Sequence, residues 1–238
     1  MNNSVPTNRR LGNNMDSDMK GYIVTGLLAL CLLLGLAGQF GSTWLVEETG
    51  GGDAVAKTST GLRAMHMETE CNEKNATAVV YCKISDVTYS AMANDSDFIE
   101  YDDGVTTMDL DGAYDACIRS MEDAGVTEDE TCDDLSDVIS AGTWGGIILW
   151  MGILSCLAWI VMFILPKFEF DLEVLPDNVD LGMSWAGGIL TGLAVLAWYV
   201  LLPSGDASAG MSVWLTIIGS VAGVGAAAVS TFVADDES

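Results

Sequence analysis

The side chains with the most chemistry to offer are six cysteines and a single histidine. Four of the cysteines, Cys71, Cys82, Cys117 and Cys132, fall in one hydrophilic stretch, residues 42–141. Ten and fourteen residues separate the members of the two successive pairs, far from the close spacing of a zinc knuckle. An even number of cysteines in a small domain exported from the cell argues instead for two disulfides. Of the three connectivities that four cysteines permit, spacing favours Cys71–Cys82 and Cys117–Cys132. Loop closure would then contribute about 3 kcal/mol per bridge. The first would clip neighbouring strands and the second would staple a helical hairpin. Cys31 and Cys156 lie in apolar runs and read as packed thiols. His66 has no nucleophile or orienting acid nearby in the sequence, so it reads as a polar strand residue. Two acidic clusters, Asp102-Asp103-Gly104 and Asp109-Leu110-Asp111-Gly112, hint at calcium. They miss the EF-hand pattern, because Ile118 stands where the terminal glutamate belongs. Weak calcium binding is left open, and no catalytic, cofactor or metal residue is assigned.

These residues are held between four apolar runs, residues 21–41, 142–165, 182–202 and 211–233. Each reaches the roughly 20 residues of a spanning helix. None holds Asp, Glu, Lys, Arg or His, which argues against a pump, whose working part is a charge inside the membrane. Arg9, Arg10 and Lys20 precede the first run, and short basic flanks stay in the cytoplasm. Residues 1–20 are therefore expected to be a disordered cytoplasmic terminus and residues 42–141 an extracellular domain. Residues 166–181 become a cytoplasmic loop, 203–210 a short outer turn, and 234–238 a cytoplasmic end. The result is a multi-pass protein of the cell membrane with the lipid bilayer as its first partner. The sequons at Asn75 and Asn94 agree with that side assignment.

The net charge of −25 excludes nucleic acid, whose phosphates need clustered Lys and Arg. The outer domain holds 23 of the acids and five bases. Such a surface suits a salt-adapted source, an archaeal-like microbe among them, where self-repulsion is screened. Within the domain, Trp44–Val46, residues 61–67 and residues 77–84 are expected as strands. Residues 94–111 are expected as an exposed acidic loop. Tyr114, Cys117, Met121 and Ala124 recur at helical spacing up to Gly125, and Thr127 with Glu130 forms a capping box for a second helix. Cys132, Leu135 and Ile139 mark that helix's buried face, and it leads into the second span. Paired small residues, Gly142/Gly146, Gly188/Gly192 and Gly219/Gly223, allow close helix packing, within one chain or between copies. Trp44, Trp144, Trp185 and Trp214 lie near span ends, where an indole suits the interface.

Trp44, then Gly61-Leu62, then Cys71 and Cys82, with Cys82-Lys83-Ile84-Ser85-Asp86 following, resembles the claudin and peripheral myelin protein superfamily. That signature is a tryptophan after the first span, Gly-Leu-Trp, and two disulfide-bonded cysteines. The run AGGILTGLAVLAWY at residues 186–199 is similar to the family's third span. Arg63 stands where the second signature tryptophan would be, and the Cys117/Cys132 hairpin has no counterpart in the pattern. The resemblance, to a divergent member, implies a four-helix transmembrane bundle capped by a small disulfide-linked antiparallel β-sheet.

The fold class expected is thus membrane α-helical, a claudin-like bundle with an extracellular sheet and helical hairpin. The expected function is non-enzymatic: contact with another membrane or envelope protein, or self-association, through the extracellular domain. An auxiliary subunit of a channel or transporter, or an oligomeric cation-selective channel with carboxylates at its mouth, stands as the alternative.

Overall fold

The computed structural model describes residues 17–51, 53–72, 74–102, 104–125, 130–164, 177–203 and 207–233. Among these residues, four helices are long and apolar enough to cross a membrane, over Met19–Phe40, Cys132–Ile164, Gly182–Leu201 and Met211–Phe232. They belong to α1 (Ser17–Phe40), α4 (Glu130–Ile164), α5 (Asp177–Leu201) and α6 (Met211–Phe232). The neighbours are α1 with α4 and α6, and α5 with α4 and α6, so the helices form a ring in which α1 and α5 barely touch. α1 begins inside the stretch expected to be disordered. The inner-loop pattern at residues 166–176 and the capping Thr127 lie outside the described residues.

Two buried clusters fill the bundle. Val24, Leu28, Cys31, Cys156, Trp159 and Ala226 make one. Leu149, Ile153, Ala194, Trp198 and Val213 join Trp44 and Leu62 in the other, which reaches into the sheet. With no water-driven force between apolar helices in lipid, close approach must supply the attraction. The glycine pairs provide it within this chain. A Cβ on Gly188 would strike the backbone of Gly223 and Val224, and one on Gly142 would strike the Leu62 carbonyl. Gly192 faces Ser220, and Gly219 faces Leu34 and the Cys31 carbonyl.

One end of the bundle carries a six-stranded sheet in the order β4-β5-β3-β2-β1-β6. The strands are β1 (Leu45–Gly51), β2 (Ala54–Thr60), β3 (Ala64–Cys71), β4 (Ile99–Asp102), β5 (Val105–Asp109) and β6 (Ser208–Ala209). Every pairing is antiparallel. Three expectations are corrected here. Residues 77–84 are not a strand but the first half of α2 (Ala76–Asp95). Asn75 caps that helix, its side-chain oxygen accepting from Thr77 N and Ala78 N, and such a cap commits the following residues to a helix. Residues 94–111 are not a loop: they hold the β4–β5 hairpin, closed by Gly104 at φ 86°. Asp-Gly is itself a hairpin signal, and Ile99, Thr106 and Leu110 are buried. Residues 203–210 do more than turn the chain, because β6 pairs with the edge of β1.

The helical hairpin is present as α3 (Leu110–Ala124) against the start of α4. Asp109 caps α3 through Gly112 N, and Gly125 ends it in the left-handed region at φ 67°. α4 continues without a break through 35 residues, roughly 50 Å at the helical rise, against an apolar bilayer core of about 30 Å. Its first turns, with exposed Asp133, Asp134 and Asp137, therefore belong to the sheet layer.

The packing account predicts opposite outcomes for two Gly→Ala changes. Gly188→Ala must push α5 from α6 and should cost about 1–3 kcal/mol. Gly26 has open space around it, so Gly26→Ala should be neutral or stabilise by up to about 1 kcal/mol. Unfolding midpoints in mild detergent should separate the two, and equal midpoints would refute the backbone-contact argument.

Candidate functional site

Two places concentrate the residues singled out in the sequence. The first is the seam between bundle and sheet. Trp44 leaves the end of α1 and is fully buried, which corrects its expected place at the lipid interface. Its indole Nε1–H donates to the Gly38 carbonyl at 2.7 Å, and its ring meets Trp198 edge-on with centroids 5.0 Å apart. Its backbone N–H donates to Thr60 O at 2.9 Å, and its carbonyl accepts from Gly210 N at 2.8 Å. One residue thus joins α1, α5, β2 and the chain entering α6. Leu62 packs in the same cluster. Gly61 sits so close to Gly41 and Ser42 that a Cβ would press on their backbone. Trp144 and Trp214 are exposed, and Trp185 Nε1 donates to Thr231 Oγ1 at 3.2 Å.

Cys71 and Cys82, the remaining residues of the motif, are elsewhere. They form a disulfide at the far end of β3, roughly 25 Å along the strand from Leu62. The bridge joins a strand to α2, and does not clip two strands together. Its corner is fixed by Asp53: Asn72 Nδ2 donates to Oδ1 at 2.7 Å, and Asn75 Nδ2 donates to Oδ2. Cys117 and Cys132 form the second disulfide, between α3 and α4. Cys31 and Cys156 are buried free thiols.

The second place is one that the strand reading concealed. Ala78 and Cys82 turn one face of α2 to the sheet, so the opposite face must point away. That outer face carries Val80, Tyr81, Ile84 and Val87, between 55 and 71% exposed. The spacing of Val80, Ile84 and Val87 is helical and could have revealed it. The strand-favouring residues Val79, Val80 and Tyr81 mask that spacing. No acid lies on this stripe, although α2 carries Asp86 and Asp95 elsewhere. In a domain of 23 acids and five bases it is an acid-free, apolar strip, with Lys83 and Thr88 lining the groove beside Val80, Ile84 and Val87.

The polar candidates do not converge. His66 Nδ1 shares a hydrogen bond with Thr107 Oγ1 across β3 and β5, at 3.0 Å. Asp102 lies in β4 and Asp109 is engaged as the α3 cap, while Asp103 lies outside the described residues. Among the described residues, no three His, Cys, Asp or Glu side chains are placed to hold a metal ion.

The seam makes a direct prediction. Trp44→Phe removes the indole donor, but Gly38 O still accepts from Gly41 N, so the cost should be about 1 kcal/mol. Trp44→Ala opens the core and should cost about 3–5 kcal/mol. Amide exchange should accelerate in β1 and β6 before it does in the β4–β5 hairpin; uniform acceleration would contradict a local seam.

Neither the models of known protein families nor the curated protein sequences give a match to this chain.

Proposed function

We propose that this is a non-enzymatic, claudin-like integral membrane protein whose sheet domain lies outside the cell and makes protein contacts through α2. The observation that carries the reading is the apolar stripe Val80, Tyr81, Ile84 and Val87. Four large apolar side chains aligned on a water-facing helix are costly to leave exposed, and contiguous patches of this kind mark interaction surfaces. The α2–β3 disulfide holds the stripe in place before any partner arrives, which limits the entropy lost on docking. A helix face of this type fits another helix or a groove. A second copy of the same face is the simplest occupant, since it forms a two-fold, self-complementary contact.

Support for the claudin-like reading comes from the seam. Trp44, Gly61 and Leu62, which carry the resemblance, are the residues that seat sheet on bundle. Support for the orientation comes from Arg9 and Arg10 ahead of α1 and Lys20 in its first turn, which favour a cytoplasmic amino terminus. Four crossings then return the carboxyl terminus to the same side. An impermeant thiol reagent applied outside should label Asp97→Cys and miss Ser4→Cys and Ser238→Cys. Labelling of either terminus would overturn the orientation.

The contact itself responds to salt in a defined direction. The outer domain carries 23 acids and five bases, so two copies repel over about 10 Å at 0.1 M salt but only about 3 Å at 1 M. Self-association in detergent should therefore strengthen as salt rises. Ile84→Asp with Val87→Asp should abolish it, with little loss of stability because both side chains are already exposed. Association that weakens steadily with salt would indicate a basic partner in place of a second copy. Absence of association at every ionic strength, for the unaltered protein, would remove the contact reading.

A further inference from the structure

A cavity of about 300 Å³ opens beside the seam, where α1 and α4 meet the turn between β2 and β3. Its rim is aromatic. Phe40, at the end of α1, meets Trp150 of α4 edge-on with ring centroids 6.0 Å apart, and both rings are exposed, 75 and 37%. Exposed aromatic rings at the end of a transmembrane bundle suit the level of lipid head groups. Its polar wall is basic. Arg63 and His66 line it, and among the described residues no acidic side chain does. In a chain of net charge −25, a cavity with a guanidinium and no described carboxylate on its wall is an exception, although Asp111 borders a smaller adjoining recess that Arg63 also lines. Among the described residues no carboxylate pairs with Arg63. His66 uses Nδ1 on Thr107, which leaves Nε2 as its remaining polar atom.

The opposite wall asks for something else. Gln39 also lines the cavity, and its Oε1 is buried without a hydrogen-bond donor. A buried acceptor left in that state is costly. It lies in the last turn of α1, where the helix end is weakly negative, so this side suits a hydroxyl donor and disfavours an anion. The two walls together define a ligand with an anionic group toward Arg63 and a hydroxyl toward Gln39, attached to apolar chains that pass Phe40 and Trp150.

We propose that this cavity binds the head group of an anionic membrane lipid of the phosphoglycerol type. The phosphate sits against Arg63 and His66, and a glycerol hydroxyl donates to Gln39 Oε1. The geometry of a guanidinium matches two phosphate oxygens at once. Glu68, the next side chain on the His66 face of β3, is the nearest carboxylate along that strand and opposes the phosphate.

The test is lipid retention by the full chain in detergent micelles, read by native mass spectrometry. Phosphatidylglycerol and phosphatidylcholine are offered at equal concentration. The unaltered protein should retain the phosphoglycerol lipid in preference. Arg63→Gln should reduce its retention about tenfold or more, the scale of one charge-assisted hydrogen bond. Arg119→Gln, which removes an exposed arginine on α3, should not. Gln39→Leu should narrow the preference over phosphatidylcholine, and Glu68→Gln should widen it. Because Glu68 is exposed, this last variant tests the site without threatening the fold. Equal retention of both lipids, or equal loss with Arg63→Gln and Arg119→Gln, would overturn the proposal. Displacement of the lipid by millimolar glycerol 3-phosphate would overturn the membrane source and leave a site for a free phosphate ester.

Discussion

Beside β1 the sheet stands on the bundle through one short piece of chain, Thr43 and Trp44, and the backbone hydrogen bonds made there. Trp44 N–H donates to Thr60 O, Gly210 N–H donates to Trp44 O, and Ser212 N–H donates to Thr43 O. These bonds bring β1, β2 and the start of α6 to one point, and the Trp44 ring fills the space beneath against Trp198. The arrangement meets two demands at once. Chain leaving a membrane helix has lost its intrahelical partners, and buried backbone groups need replacements. Trp44 Nε1–H donates to the Gly38 carbonyl at the end of α1, while Thr60, Gly210 and Ser212 pair with the Trp44 backbone and the Thr43 carbonyl. The glycines at this level follow from the same constraint. Gly41, Gly61, Gly142 and Gly210 each lie where a Cβ would meet backbone or a hydroxyl of another segment, so the sheet can sit directly on the helix ends.

What was legible in the sequence divides along physical lines. The spans are written in a long-range signal, uninterrupted apolar runs without charge, which no local contact can reverse. The α3–α4 hairpin was legible because helical spacing and the Gly125 stop agree. The sheet was harder. β2, with the sequence AVAKTST, has only small apolar residues and is a strand because β1 and β3 pair with it on either side. β6 is two residues long and exists only as a partner for Leu45 and Val46. Neither carries a pattern of its own. α2 was misread for a different reason. Val79, Val80 and Tyr81 favour strands, but Asn75 supplies the cap and Asp53 fixes the corner. That tertiary bond outweighs a weak local preference. The misreading hid the exposed stripe, since a strand would have divided Val80, Tyr81, Ile84 and Val87 between two faces.

The acidity of the domain is partly structural. Asp109 caps α3 and Asp111 lies in its first turn, while Asp133 and Asp134 fall close to the start of α4. Negative charge at a helix amino terminus offsets the macrodipole by about 0.3–1 kcal/mol for each well-placed group. Elsewhere the acids cover the surface around two uncharged or basic openings, the α2 stripe and the Arg63 cavity. Repulsion between like surfaces disfavours most orientations of approach and penalises these two places least. The charge therefore selects where contact can occur without supplying its energy.

α4 couples the two layers mechanically. Cys132 lies in the first turn of a helix that runs on through the bundle, and its disulfide fixes α3 to that helix. α3 follows directly on β5, which lies next to the β4 edge on the side of the sheet remote from β6. The sheet is thus held at both sides, by the Trp44 seam beside β1 and by a covalent link to α4 beyond β5. A sheet held only at the seam could rock about it, because a single line of backbone bonds resists sliding better than tilting. The second attachment removes that freedom, so the α2 stripe and the Arg63 cavity keep fixed positions relative to the membrane helices.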